Sequence, residues 1–377
     1  MIYKKFQEME LSALGMGAMR LPVMDGDDSK IDEKAAMEMV DLAMASGVNY
    51  YDTAWGYHGG QSEIVMGKAL NRYPRDRFYL ATKFPGYDLS NMDKVEEIFE
   101  KQLEKCGVEY FDFYLFHNVC EMNIDAYLDP KYGIFDYLVK QKKAGRIRHL
   151  GFSAHGSYEV MKRFLEAYGK EMEFCQIQLN YLDWTFQDAK AKVELLEEYH
   201  LPVWVMEPLR GGRLARLSPQ EAAPLQALRP DELPLAWAFR FLETIPSVTV
   251  VLSGMSSRRQ MEENLQIFAE EKPLNQKELD TLFAVADQMV KAKTVPCTAC
   301  HYCVSHCPQG LDIPNLLALY NEHSFTGGGF LAPMALSAVA EEKRPDACIG
   351  CRSCEAVCPQ QIKVSEVLAD FAQRMKA

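Results

Sequence analysis

The sequence predicts an α/β chain, a closed (β/α)8 TIM-type barrel followed by a small α-helical domain built around metal clusters, and three observations carry that prediction. Eight short apolar stretches alternate with helical periodicities between residues 14 and 268, most of them continuous hydrophobic runs. Such runs are typical of parallel strands covered on both faces, and eight of them with intervening helices have the size and order of a barrel. A doubly wound sheet is the competing architecture. It is disfavoured because Gly15-Met16-Gly17 lacks the third glycine of a dinucleotide fingerprint. Finally, the last quarter of the chain carries two cysteine runs of identical spacing.

Taken in order, residues 1–13 read as a short covering segment. The strands are expected at 14–19, 48–52, 79–84, 112–117, 148–153, 175–179, 203–207 and 248–252. The first helix spans 31–46, where Ala36, Met39, Val40 and Ala43 recur at helical spacing and Gly47 ends the segment. Further helices are expected over 62–70, 93–106 (Val95, Ile98, Phe99 and Leu103 inward), 135–143, 158–168, 189–199, 235–243 and 259–268. A helix over 273–292, with Leu279, Leu282, Phe283 and Ala286 on one face, leads into the cysteine region. The domains are then a barrel, 1–290, and a cluster domain, 291–377. Segments 118–131 and 209–232 read as loops that shape a substrate cavity.

Eight of the eleven cysteines fall in the two runs. Cys297, Cys300, Cys303 and Cys307 are closed by Pro308, and Cys348, Cys351, Cys354 and Cys358 by Pro359. Thiolates this compressed, each set closed by proline, suit [4Fe–4S] cubanes better than zinc or disulfides. The stretch 309–347 is too long for the hairpin link of a compact ferredoxin. It holds a helix start at Pro314-Asn315, a TGGG at 326–329 and a second helix near 334–341. The region is similar to the helical type of two-cluster ferredoxin domain. That likeness implies that the last cysteine of each run serves the other cluster. One cluster takes Cys297, Cys300, Cys303 and Cys358; the other takes Cys348, Cys351, Cys354 and Cys307.

The 377 residues are 48% hydrophobic and 25% charged, ordinary for a globular protein, with a net charge of −12. That charge counts against a nucleic-acid binder working by phosphate neutralisation. No stretch has signal-peptide or membrane-span character, so no membrane role is expected. Free thiolates need a reducing compartment, which points to the cytoplasm, and oxygen-sensitive clusters fit an anaerobic or microaerobic cell.

In a barrel, chemistry is expected where strands end. Asp52 closes VNYYD, Tyr57 lies in the loop that follows, Lys83 ends YLATK and His117 ends FYLFH. Each alone has an ordinary structural explanation; their joint placement at successive strand ends makes them a constellation.

VNYYDTAWGYHGGQSE, FYLATKF, FDFYLFH, IRHLGFSAH and VLSGMSSRRQMEENL together resemble the aldo-keto reductase family over about residues 12–268. The resemblance implies that Tyr57 is the general acid at a substrate carbonyl and that Lys83, paired with Asp52, lowers its pKa. It also implies that His117 orients the carbonyl. The physics agrees, because a phenol titrating near ~10 is a poor proton donor–acceptor at neutrality unless a cation stands beside it. A buried lysine in turn needs a carboxylate.

The same resemblance places NADP(H) or NAD(H) across the barrel mouth. Ser153 and Gln176 would hold the carboxamide, while Ala154 replaces the family's asparagine. Met206 stands where a tyrosine often stacks on the nicotinamide. Leu209, Arg210, Gly211 and Gly212 would approach the pyrophosphate, with Arg210 the preferred anion ligand. Ser253, Gly254 and Ser256 precede a helix at an anion position. Gly254 and Gln260 occupy the places of the family's basic 2′-phosphate ligands, Arg258 and Arg259 are new basic groups nearby, and Glu263 and Asn264 match its ribose and adenine contacts.

Three functions are open at this point. The first is reduction of an aldehyde or ketone, or oxidation of the alcohol, by hydride transfer with NAD(P)(H), the clusters being structural or exchanging electrons with a ferredoxin or flavodoxin partner. The second is a reductase fed by the clusters through a flavin in the barrel pocket, since hydride chemistry and one-electron clusters need a converter. The third is an electron-carrying or redox-sensing iron–sulfur protein on a barrel that keeps its four polar residues.

Overall fold

The eight apolar runs pair in parallel and close on themselves. In the computed structural model, which describes residues 1–291 and 293–376, the strands are β1 (Tyr3–Phe6), β2 (Met9–Ser12), β3 (Leu14–Gly17), β4 (Tyr50–Asp52), β5 (Tyr79–Phe84), β6 (Phe111–Val119), β7 (Ile147–Ala154), β8 (Cys175–Gln178), β9 (Val203–Met206) and β10 (Val248–Gly254). The barrel runs β3 to β10 in sequence order, and β10 returns to pair with β3 through Gly254 opposite Gly17. Gly17 also lies opposite Asp52, and Asp52 opposite Ala81. This register puts the ends of β3, β4 and β10 at the same mouth.

Residues 1–13 do more than cover. They form the antiparallel hairpin β1–β2, whose Phe6 and Leu11 enter a buried cluster with Tyr50, Phe113, Phe174, Trp204 and Val250. Phe6 meets Trp204 edge-on at 5.1 Å between ring centroids. The mouth opposite the hairpin stays available for polar groups.

The outer helices follow the predicted order. Ser62–Leu70 and Tyr158–Tyr168 match to the residue, and the helix expected over 273–292 runs Gln276–Lys291, Ala292 lying outside the described residues. The helix Pro219–Leu228, inside the segment read as a loop, was not anticipated. Its signal is local: Ser218 accepts the N–H of Glu221, the Glu221 carboxylate accepts the N–H of Ser218, and Pro219 opens the first turn.

The chain divides into two compact units, Met1–Phe283 and Ala284–Ala377, so the division falls within the helix Gln276–Lys291. The second unit has its own core. Leu316 and Leu317, Leu336, and Leu368 and Phe371 pack together from the helices Ile313–Thr326, Leu331–Ser337 and Val364–Arg374. The helix expected near 334–341 thus lies a few residues earlier, because the chain beyond it turns back in short 3-10 turns at Glu341–Lys343 and Pro345–Ala347. The helix Val364–Arg374 had not been anticipated. Among the described residues no helix is long and apolar enough to cross a membrane.

Candidate active site and cysteine recesses

The strand register brings the four polar candidates to one mouth. Lys83, fully buried near the end of β5, places Nζ 2.6 Å from Asp52 Oδ1 and donates to the Thr53 carbonyl at 2.8 Å. The second carboxylate oxygen of Asp52 is buried with no hydrogen-bond partner. Burial pushes the Asp52 carboxyl up, while Lys83 opposes that shift.

Tyr57 follows on a 3-10 turn (Tyr57–Gly60), and its ring centroid lies 5.3 Å from Lys83 Nζ and 6.1 Å from the His117 ring. Among the described residues no hydrogen bond joins the Tyr57 hydroxyl to Lys83. The resemblance implied a lowered phenol, but the shift runs the other way. Burial first, then the charges of Asp52, Tyr87 and Glu207, push Tyr57 well up. Burial is the main cause, and the Lys83 ammonium is held by Asp52 and the Thr53 carbonyl rather than by the phenol.

His117 is held by its backbone, whose carbonyl accepts the Tyr127 hydroxyl at 2.8 Å. Its ring meets Tyr87 edge-on at 5.2 Å, and its Nδ1 is buried without a partner. Desolvation, helped by the nearby Lys83 and His155 charges, holds it well below the usual imidazole range, so the ring is neutral at neutral pH. Tyr87 leans over Gly56, where any Cβ would lie 2.2 Å from its hydroxyl. Tyr87 is thus packed between His117 and Gly56 beside the four polar residues. His58, next to Tyr57 in the chain, is buried. Its Nε2 accepts the N–H of Leu21 at 3.1 Å and its Nδ1 donates to the Asp28 carbonyl at 2.7 Å, so it ties down the loop after β3.

The coenzyme candidates fall into three groups. Ser153 and Gln176 are paired across β7 and β8. Ser153 Oγ accepts the N–H of Asn118 at 2.8 Å, leaving its proton to donate, and Gln176 Oε1 is a buried acceptor with no partner. The Gln176 amide reaches Met206 Sδ at 3.7 Å, so these residues share one wall. A carboxamide, with one acceptor and two donors, fits this set.

The second group is less open. The N–H groups of Arg210, Gly211 and Gly212 are taken by Glu207 O, the Glu207 carboxylate and Leu209 O respectively. The Arg210 guanidinium is buried on Asp183, with Nε 2.9 Å from Oδ1. In the third group Asn264 donates to Ser253 Oγ at 2.8 Å, and Gln260 accepts the Ser256 N–H at 2.7 Å. Arg258 and Arg259 pair with Glu262 and Glu263 one turn along.

In the second unit all eight run cysteines are unbridged. They rim two separate recesses. One is lined by Cys297, Cys300, Cys303 and Cys358, the other by Cys307, Cys348, Cys351 and Cys354. The fourth cysteine of each run has crossed to the other set. Thiols spread around a recess suit the corners of a polynuclear cluster; among the described residues no three ligating side chains converge on one ion. Ile313 and Val364, each almost fully buried, line both recesses. They are equivalent positions, each six residues after the final cysteine of its run. That internal repeat, Cys-Pro followed by two alternating aliphatic residues and a helix, is readable in the sequence.

A parallel barrel with a buried lysine–carboxylate pair, a tyrosine and a neutral histidine at its mouth, extended by paired cysteine quartets, belongs to the barrel oxidoreductases. The comparisons specify which. The Aldo/keto reductase family profile matches residues 13–287 and a 4Fe-4S dicluster domain profile matches 296–363. The chain therefore belongs to the aldo/keto reductase family, as an oxidoreductase that also carries an iron–sulfur domain. It is 24% identical over 237 residues to the NADH-specific methylglyoxal reductase of Escherichia coli, covering 58% of this chain and 69% of that protein. It is 24% identical over 308 residues to the uncharacterized oxidoreductase YqkF of Bacillus subtilis, covering 73% and 92%. The holo form of aldo-keto reductase AKR11C1 from Bacillus halodurans superposes with a TM-score of 0.61 at 24% identity, over 75% of this chain and 95% of that one, a likeness of fold.

Proposed function

We propose that the barrel is a nicotinamide-dependent carbonyl reductase in which Tyr57 supplies the proton, and that the second unit holds two [4Fe–4S] clusters. The observation that carries this reading is the buried Lys83–Asp52 pair beside Tyr57 and His117, an arrangement with no packing rationale at a barrel mouth. Ser153 and Gln176 would hold the carboxamide of the coenzyme, whose chemistry when bound is delivery of a hydride. Asp52, Lys83, Tyr57 and His117 do the rest. The phenol, kept protonated by burial, gives its proton to the carbonyl oxygen. The neutral imidazole of His117 offers an N–H to that oxygen and fixes its position. Lys83, anchored by Asp52, supplies positive potential as negative charge develops. A protonated phenol favours reduction; alcohol oxidation needs the phenolate and is expected to rise with pH.

The substrate is a small aldehyde or ketone, or its alcohol. The test mixes cluster-loaded protein with NADH or NADPH and a panel of carbonyl compounds. Tyr57→Phe is expected to lower turnover by about 10²–10⁴-fold while coenzyme affinity, read by fluorescence titration, stays near wild type. Retained turnover would remove Tyr57 from the role. Failure with both coenzymes, together with a flavin spectrum in the purified protein, would replace this reading by the flavin-linked one.

A further inference from the structure

The two cysteine runs share a backbone, which makes their side chains directly comparable. The residue before the second cysteine is left-handed in both, Ala299 at φ 50° and Gly350 at φ 68°. The residue after it is left-handed too, His301 and Arg352 each at φ 61°. Each of the latter two lines the recess that holds the second cysteine of its own run. At one position of the repeat, then, the Cys351 recess has a guanidinium where the Cys297 recess has an imidazole.

The guanidinium keeps most of its charge for the recess. Its ion-pair partner Glu366 lies 3.9 Å away, beyond hydrogen-bond range, and both side chains are 65% exposed. A pair so open to water is weak. Glu355, the other carboxylate that senses Arg352, accepts the N–H and the hydroxyl of Ser365 at 2.9 and 2.5 Å. A second cation, Lys343, donates at 2.6 Å to the carbonyl of Gln309, which lines the same recess. The sulfur atoms differ as well. Cys307 Sγ accepts the N–H of Leu311 at 3.5 Å, whereas its counterpart Cys358 accepts no such bond among the described residues.

Reduction adds negative charge to an iron–sulfur cluster, so positive neighbours and hydrogen bonds to sulfur raise its potential. We propose that the two clusters are electronically unequal, and that Arg352 makes the one held by Cys307, Cys348, Cys351 and Cys354 the easier to reduce. The proposal rests on the two-cluster reading of the second unit. A low-potential one-electron donor loses one electron, that cluster gains it, and no bond forms or breaks. Transfer from the Cys297 recess to the Cys351 recess is then downhill and the return uphill, so the pair of sites has a direction.

The experiment is a redox titration of full-length, cluster-loaded protein at about pH 8, above the ordinary imidazole value, with reduced clusters counted by electron paramagnetic resonance. Iron and sulfide analysis comes first, and a content short of two cubanes overturns the two-cluster reading itself. Wild type should give two separate one-electron steps. Arg352→Gln should lower the upper step by about threefold in its equilibrium constant, or ~28 mV, and leave the lower step in place. His301→Arg puts the same side chain at the equivalent left-handed position and should raise the lower step instead. Arg352→Lys, which keeps the charge, should keep both steps, a rescue that a merely structural arginine would not show. A single step in wild type, a shift of the lower step or of both steps in Arg352→Gln, or unchanged potentials at full iron content each overturns the proposal. So does an upper step that falls as far in Arg352→Lys as in Arg352→Gln.

Discussion

Lys83 and Asp52 show how one residue pair can be both a liability and a requirement. Two charges shielded from water at 2.6 Å hold each other only while both are present. Lys83→Met should destabilise the barrel by about 3–5 kcal/mol, because it strands a buried carboxylate that already has one unpartnered oxygen. Adding Asp52→Asn should recover part of that loss, and urea unfolding followed by tryptophan fluorescence measures both, since all four tryptophans lie in the barrel unit. At this scale the sequence was informative about identity and poor about charge. Strand ends made Asp52, Lys83 and His117 visible, and a signature carried Tyr57. The upward push on Tyr57 depends on distances that no spacing encodes. The same holds for Arg20, whose carbonyl accepts the Ser256 hydroxyl and whose guanidinium lies near Glu207 only through the closure of the barrel.

Elements were legible where hydrophobic period was strong and obscure where capping chemistry decided. All eight barrel strands could be read, because continuous apolar runs have few other uses. Pro219–Leu228 escaped because its evidence is a capping box rather than an apolar stripe. Packing between elements makes a sharp test at Gly67. There a Cβ would stand 2.6–2.8 Å from the Cys106 backbone of the neighbouring helix Val95–Cys106. Alanine in a helix is ordinarily better than glycine by about 0.5–1 kcal/mol. Here Gly67→Ala should instead cost about 1–3 kcal/mol, because rigid backbone must move.

The closed end of the barrel offers a pH test on the same scale. Glu173 accepts His149 Nδ1 and Gln7 Nε2, each at 2.6 Å, and lies 2.7 Å from Lys142 Nζ. Burial works to raise its carboxyl, but these contacts outweigh it and hold the value at about 2, against 4.5 ordinarily. The folded value is the lower one, so the stabilisation is complete above about 4.5 and fades as pH falls toward 2. The gap in melting temperature between wild type and Glu173→Gln should therefore narrow across that window; a constant gap would show that the contacts act without the charge.

For the whole molecule, the question is whether one-electron clusters take part in two-electron chemistry. Cys303→Ser should lower the iron content by one cluster and destabilise the second unit, as measured by iron analysis and thermal unfolding. Carbonyl reduction with supplied NAD(P)H should persist near the wild-type rate. A parallel loss of turnover would place the clusters in the path of the electrons. The cysteine spacing announced the second unit and the repeat that places Ile313 and Val364 six residues after each run, while the shared burial of these two residues between the recesses emerges only in the folded unit.

The exchange of Cys307 and Cys358 between recesses also imposes a schedule on biosynthesis. The recess begun by Cys297 lacks its last wall until Cys358 is translated, and the recess that uses Cys307 waits for Cys354. Both sets close within a few residues of each other, long after the barrel has left the ribosome, because synthesis runs from the N-terminus. On the proposed two-cluster reading, iron loading is a late and nearly simultaneous event, and a nascent chain stalled before Cys354 is expected to carry the barrel strands and no complete cysteine quartet.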